Sequence, residues 1–220
     1  MSAQLDYEHL DQVFRQHVLE DIRLNVEHGR HLAAAQLLLS AVDIFSGMLR
    51  ERHLVKTNRH VFVAWADRFL RLRGPTYTVS GIDLYAARCG FLHGYTPEAD
   101  LVRSGEARAL SWTTMSVPPV VELTDQVTMV SLPALVLAFI RGFDRSLVEL
   151  EGDEDKIELV NERLQGMFCA HPVPEPVEQY YEALQEAEGP RSLKDYLNWY
   201  ASYQLDIKLR QWKSPARGGA

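Results

Sequence analysis

The residues richest in chemistry lie in one short segment, Asp83-Leu-Tyr-Ala-Ala-Arg-Cys-Gly-Phe-Leu-His-Gly-Tyr95, which holds the pattern Arg88-x4-His93-x-Tyr95. Arg88 offers a planar fork of donors matched to phosphate oxygens. His93 carries a group that exchanges a proton near neutral pH. Tyr95 can donate a hydrogen bond to the same place. An anion holder, a proton carrier and an orienting hydroxyl together suit phosphate chemistry. Residues five apart on an α-helix are separated by about 140° in rotation. Arg88 and His93 therefore converge only if His93 sits at the end of its helix, before Gly94. The same residues also have a plain structural reading, in which Arg88 pairs with a carboxylate such as Asp43, His93 caps its helix and Tyr95 is packed.

Other chemistries find less support. His28 and His31 are three apart and His53 and His60 seven apart, but no His-Glu-x-x-His pattern or cysteine cluster accompanies them. No metal site and no cofactor is expected. Gly-x-Ser-x-Gly is absent, as are the Walker and Rossmann glycine patterns. The carboxylates of Asp153, Glu154, Asp155 and Glu158 read as the solvated start of a helix, where acids favour the dipole. Cys89 and Cys169 are the only cysteines and form no Cys-x-x-Cys pair. Reduced thiols and a cytoplasmic location are the simple expectation. The first residues lack the pattern of a signal peptide. The apolar run Leu132 to Ile140 is too short to span a bilayer, so no membrane partner is expected.

The net charge of −7 argues against bulk, non-specific nucleic-acid binding. Its distribution is uneven. Residues 50–73 contain seven Lys/Arg against Glu51 and Asp67, whereas residues 141–188 contain thirteen acids against four Lys/Arg. This asymmetry allows a local anion site, but solvated helix faces are the favoured reading of it.

The elements that must position these residues are mainly helical. The 220 residues, 46% apolar and 24% charged, are enough for one domain with a real core. Leu5, Val13, Phe14, Val18, Leu19, Ile22 and Leu24 predict a helix over about 8–28, interrupted by Gly29. A second, about 31–51, is apolar around most of its circumference and should be central. Its stripe of Gln36, Ser40, Asp43, Gly47 and Arg50 has small residues that would let another helix approach. Thr57 or Asn58 caps a third helix, about 59–72, and Ser80 a fourth, about 81–93. A short helical turn is expected after Pro97. Residues 106–131 are rich in β-branched residues and predict two or three short strands, as a small β-hairpin insertion. Helices follow at about 132–150, 154–169, 175–187 and 191–212. The organisation expected is a single domain over 1–212, with a core of about 18–108 plus 132–169. A C-terminal helical extension, 175–212, and a disordered tail, 213–220, complete it.

The segment around Arg88 and His93 resembles the Arg-x4–6-His motif of the HEPN superfamily (higher eukaryotes and prokaryotes nucleotide-binding domain). More closely, it resembles the Arg-x4-His-x-Tyr version in small HEPN toxins of toxin–antitoxin pairs. Arg88-Cys-Gly-Phe-Leu-His93 is also similar to uncharacterised bacterial HEPN-like proteins, in which a helix containing Ser-Ala-x-Asp, here Ser40-Ala-Val-Asp43, precedes the motif. The resemblance covers about residues 18–108. One departure is Cys89, where many catalytic members have a polar residue. The resemblance implies an antiparallel helical bundle and a homodimer with the motif helices paired around one cleft. It also implies RNA or nucleotide binding, with metal-independent RNA cleavage in catalytic members and an antitoxin or other protein as partner. His93 would then assist attack by a ribose 2′-hydroxyl, Arg88 would stabilise the phosphoryl oxygens and Tyr95 would orient the phosphate. Asp43 would orient Arg88 or His93. A non-catalytic dimerisation or scaffold protein is the alternative that the same resemblance leaves open.

Overall fold

Helix α3 (His31–Met48) carries ten buried residues, from Ala34 to Met48, and the rest of the fold packs around it. Its apolar composition matches that of a membrane span, but 56% of it is buried against other elements. A computed structural model describes residues 4–93, 96–97, 99–115 and 118–167, His93 by its backbone alone. The chain divides into two units at residues 169/170, and the described residues all belong to the first. The predicted helices at 175–187 and 191–212, the tail 213–220, Cys169 and Tyr95 lie outside the described residues.

The chain enters through α1 (Tyr7–Leu10), passes through a π-helical stretch (Asp11–Leu19) and continues as α2 (Glu20–Glu27). The helix predicted over about 8–28 is thus present, with a π-helical stretch in its middle. The reason is visible in the spacing, since Val13 and Val18, and Phe14 and Leu19, are five residues apart. Five residues close one π turn but leave side chains about 140° apart on an α-helix. Gly29, at φ 71°, ends α2. Arg30 N–H donates to the Asn25 carbonyl and Gly29 N–H to that of Val26, a Schellman closure that turns the chain into α3.

Helix α4 (Arg59–Phe69) starts at Asn58, whose side chain accepts from Val61 N–H at 3.0 Å. Of the two predicted caps the structure therefore uses Asn58. The Thr57 hydroxyl instead lies against Gly47, where any side chain would collide with it. The small residue at 47 thus admits a loop rather than the expected helix. A two-stranded ribbon follows, β1 (Leu72–Arg73) antiparallel to β2 (Thr78–Val79). It went unpredicted because two-residue strands have no readable alternation. Helix α5 (Gly81–His93) and the short α6 (Asp100–Arg103) come next.

The predicted hairpin proves to be half of a mixed sheet. Strands β3 (Ala109–Thr113), β4 (Val120–Glu122) and β5 (Val127–Ser131) lie in the order β3-β5-β4. β4 and β5 form the hairpin, while β3 pairs parallel to β5, Ala109 opposite Val127 through Thr113 opposite Ser131. Local periodicity reveals strands but not a long-range partner, so the parallel pairing was not predictable from it. Ser131 ends β5 and caps α7 (Leu132–Val148), its hydroxyl accepting from Ala134 N–H at 3.1 Å. Asp153 caps α8 (Glu154–Leu164) in the same way, which assigns the acidic cluster there to a helix start.

Aromatic rings form the centre of the core. Phe45 of α3 meets Phe14 of the π stretch at 5.2 Å, Phe143 of α7 at 4.5 Å and Trp65 of α4 at 5.6 Å between centroids. Such pairs add to the large apolar area that each ring buries. Phe45 is fully buried, whereas Leu137 on α7 is 46% exposed. Phe45→Ala should therefore cost about 3–5 kcal/mol in urea denaturation, and Leu137→Ala about 0.5 kcal/mol or less. Equal losses would contradict this placement of the core.

Candidate functional site

Helix α5 carries the Arg-x4-His pattern, and one buried carboxylate sets how that helix starts. Asp83 is 1% exposed. Its Oδ2 accepts from the Tyr77 hydroxyl at 2.6 Å, the Ser80 hydroxyl at 2.6 Å and Ser80 N–H at 2.9 Å. Its Oδ1 accepts from Arg108 N–H at 2.8 Å, just before β3. The ribbon, the start of α5 and the entry to the sheet are thereby tied to one side chain. Ser80-x-x-Asp83 has the spacing of a capping box with aspartate in the usual glutamate place. That signal was present in the sequence, although only Ser80 was read from it. Gly81 lets α5 approach α4, because a Cβ there would lie 2.5 Å from the Val63 carbonyl oxygen.

With its start held, α5 directs Arg88 toward α3. Arg88 Nη2 donates to Asp43 Oδ2 at 2.6 Å, with the two side chains 21% and 22% exposed. Arg88 Nε is buried without a hydrogen-bond partner. Burial acts to lower the Arg88 pKa, but the charge and hydrogen bond of Asp43 outweigh it and hold the guanidinium above its ordinary value. The Tyr85 ring centroid lies 6.0 Å from the guanidinium carbon. Burial raises the Tyr85 phenol, and the neighbouring Cys89 adds to the effect.

Of the four predicted site residues, Arg88 and Asp43 are thus brought together. His93 closes α5 at the predicted position, but its side chain and Tyr95 lie outside the described residues, as does the convergence expected of all three. Among the described residues no cluster of three or more His, Cys, Asp or Glu could hold a metal ion. Four of the seven cations in the basic segment 50–73 are engaged by acceptors of the protein. Arg52, Arg59 and Arg68 pair with Glu162, Glu106 and Glu149, and Arg50 donates to the carbonyls of Gly47, Leu54 and Val55. These cations join separate segments of the chain to one another.

Two residues near the site were missed in the sequence. Tyr77 supplies a donor to Asp83, and the Arg108 guanidinium stacks 3.7 Å from the centre of its ring while pairing with Glu122. Burial, reinforced by the hydrogen bond to Asp83, pushes the Tyr77 phenol up to about 12.

An unfolded tyrosine ionises near pH ~10. The folded protein therefore keeps a proton that the unfolded chain has lost, and the stabilisation from Tyr77 is complete below ~10 and fades as pH rises toward the folded value. In an alkaline spectrophotometric titration, the difference between wild type and Tyr77→Phe should contain a phenol ionising near pH 12; ionisation of that phenol at ~10 would contradict the geometry. A double-mutant cycle of Asp43→Ala and Arg88→Met should show a coupling of about 1–2 kcal/mol, and zero coupling would remove the pair as a link between α3 and α5. Comparison of the chain with known protein families, with curated proteins and with solved structures finds no match.

Proposed function

We propose that this chain is a HEPN-like protein that binds the phosphate of RNA or a nucleotide through Arg88, in a homodimer whose paired copies face each other along α3 and α5. The observation that carries the reading is the Arg88–Asp43 pair. It joins the two segments, Ser40-Ala-Val-Asp43 and Arg88-x4-His93, on which the family resemblance rests. Asp43 engages one terminal nitrogen and orients the guanidinium, and the other terminal nitrogen would meet a phosphate. The helical core is read as an antiparallel bundle of the same family.

Cleavage is the second tier of the proposal and depends on His93. The imidazole removes the ribose 2′-hydroxyl proton, and the oxygen attacks the adjacent phosphorus. Arg88 stabilises the charge gathering on the phosphoryl oxygens, and Tyr95 orients the phosphate. The bond to the 5′-oxygen breaks, leaving a 2′,3′-cyclic phosphate and a 5′-hydroxyl that takes up a proton. No metal enters this scheme. A metal-independent endoribonuclease of a toxin–antitoxin or defence system is the enzyme class it describes, and an antitoxin would then be its protein partner.

A second reading, a non-catalytic dimerisation or scaffold protein, draws on a different observation. Leu37 and Ile44 on α3 and Leu92 on α5 are 37%, 45% and 42% exposed, and they flank the ion pair. Apolar side chains left on neighbouring helices suit an interface between copies. In both readings the protein is expected in the cytoplasm.

The test is RNA cleavage by the purified protein in the presence of a chelator, together with salt-dependent RNA binding. Arg88→Ala should abolish both activities. His93→Ala should lower cleavage at least about a hundredfold while binding persists. Binding without cleavage in wild type would leave the phosphate site and remove the nuclease. Binding and cleavage unchanged in Arg88→Ala would remove the whole reading, and dimers with no response to RNA would favour the scaffold.

A further inference from the structure

The flank of α5 next to Arg88 borders a cleft of about 380 Å³, which the Arg-x4-His pattern does not account for. Ala87 and Phe91 of α5 form one wall, and four successive residues of β3, Ala109 to Trp112, form the other. Successive strand residues point to opposite faces of a sheet. A cavity touched by four in a row therefore runs along the edge of the strand. β3 is an edge strand, paired only with β5 among the described residues. Ala109 N–H donates to the Gln126 carbonyl, so the peptide groups of residues 109, 111 and 113 face β5. Those of Leu110 and Trp112 consequently face the open edge.

The lining includes Phe91 and Trp112, whose ring centroids are 5.9 Å apart, and among the described residues it contains no Lys, Arg, Asp or Glu. A ligand of this cleft must be flat, neutral where it is held, and able both to donate and to accept along a peptide edge. We propose that the cleft takes the base of a nucleotide, with an aromatic face against Trp112 and the base edge hydrogen-bonded to the peptide groups of Leu110 and Trp112. This deepens the phosphate reading of Arg88 and rests on it for the charged half of the ligand. Phe91 follows Arg88 by three residues, about 4.5 Å along the helix axis. A single helix thus presents a cation to the phosphate and a wall to the base. Stacking of this kind tolerates different bases, because each has a π face. It also needs no positive surface, in keeping with a chain whose net charge is −7.

The experiment is calorimetric titration of the full chain with adenosine monophosphate, ribose 5-phosphate and adenosine. Adenosine monophosphate should bind about tenfold more tightly than ribose 5-phosphate, the contribution of one stacked base. Ala87→Leu, which fills the cleft, and Trp112→Leu, which removes the stacking face, should each erase that advantage and leave ribose 5-phosphate binding unchanged. Circular dichroism checks the fold of both variants. Equal affinity for the two phosphates in wild type, or an advantage that survives both substitutions, overturns the base site. Ribose 5-phosphate bound in an Arg88-dependent manner in that case keeps the phosphate reading alive. Conversely, adenosine held by wild type and lost in Ala87→Leu supports the cleft even if Arg88→Ala affects no ligand, an outcome that sinks the phosphate reading alone.

Discussion

A buried carboxylate accepting four hydrogen bonds sets the geometry on which the candidate site depends. Asp83 takes donors from the ribbon, from the first turn of α5 and from the residue before β3. An ionised group placed in a poorly solvating interior is tolerated only when its oxygens are satisfied in this way. The four donors come from three parts of the chain, so satisfying the carboxylate brings those parts together. The helix that bears Arg88 and the strand that borders the cleft thereby acquire a common origin. The Arg108 guanidinium, over the Tyr77 ring and paired with Glu122, extends the arrangement to β4.

The Arg88–Asp43 pair has a different energetic character. Its side chains keep about a fifth of their exposure, so neither ion is fully stripped of water. A pair in that state contributes modestly to stability, while loss of either partner leaves a partly desolvated charge unmatched. The pair also fixes where the Arg88 guanidinium lies, against α3. Its plane is held by the short bond to Asp43, and its Nε is buried without an acceptor. Arg50, Arg52, Arg59 and Arg68 are employed otherwise, satisfying carbonyls and carboxylates of neighbouring segments. High local charge in the sequence therefore marks contacts between elements here, whereas the candidate anion site uses a single arginine from another helix.

Much of the helical frame was legible in the sequence because its signals are local. Gly29 at a positive φ, Asn58 as a cap, and the apolar circumference of α3 each act within a turn or two of chain. The π-helical stretch was legible in principle, from the spacing of five between Val13 and Val18 and between Phe14 and Leu19, but it was absorbed into an ordinary helical period. The same is true of Asp83, whose spacing from Ser80 announces a capping interaction without announcing Tyr77 or Arg108. Asp43 and Arg88, forty-five positions apart, could be named as partners only among several alternatives.

The sequence by itself determined where α3, α4, α5, α7 and α8 begin and that α3 is the central element, whereas α3, α4 and α8 end three to five residues before the predicted 51, 72 and 169. These follow from backbone capping and from the burial of periodic apolar faces, both of which operate over a few residues. Only the tertiary structure decided that Asp43 engages Arg88, that Asp83 gathers three segments, and that β3 runs parallel to β5 with its other edge open beside α5. Those outcomes depend on which distant donors reach a buried acceptor and which strand satisfies a given peptide edge. Such choices are made by competition among long-range partners during packing, and short-range spacing carries no record of them.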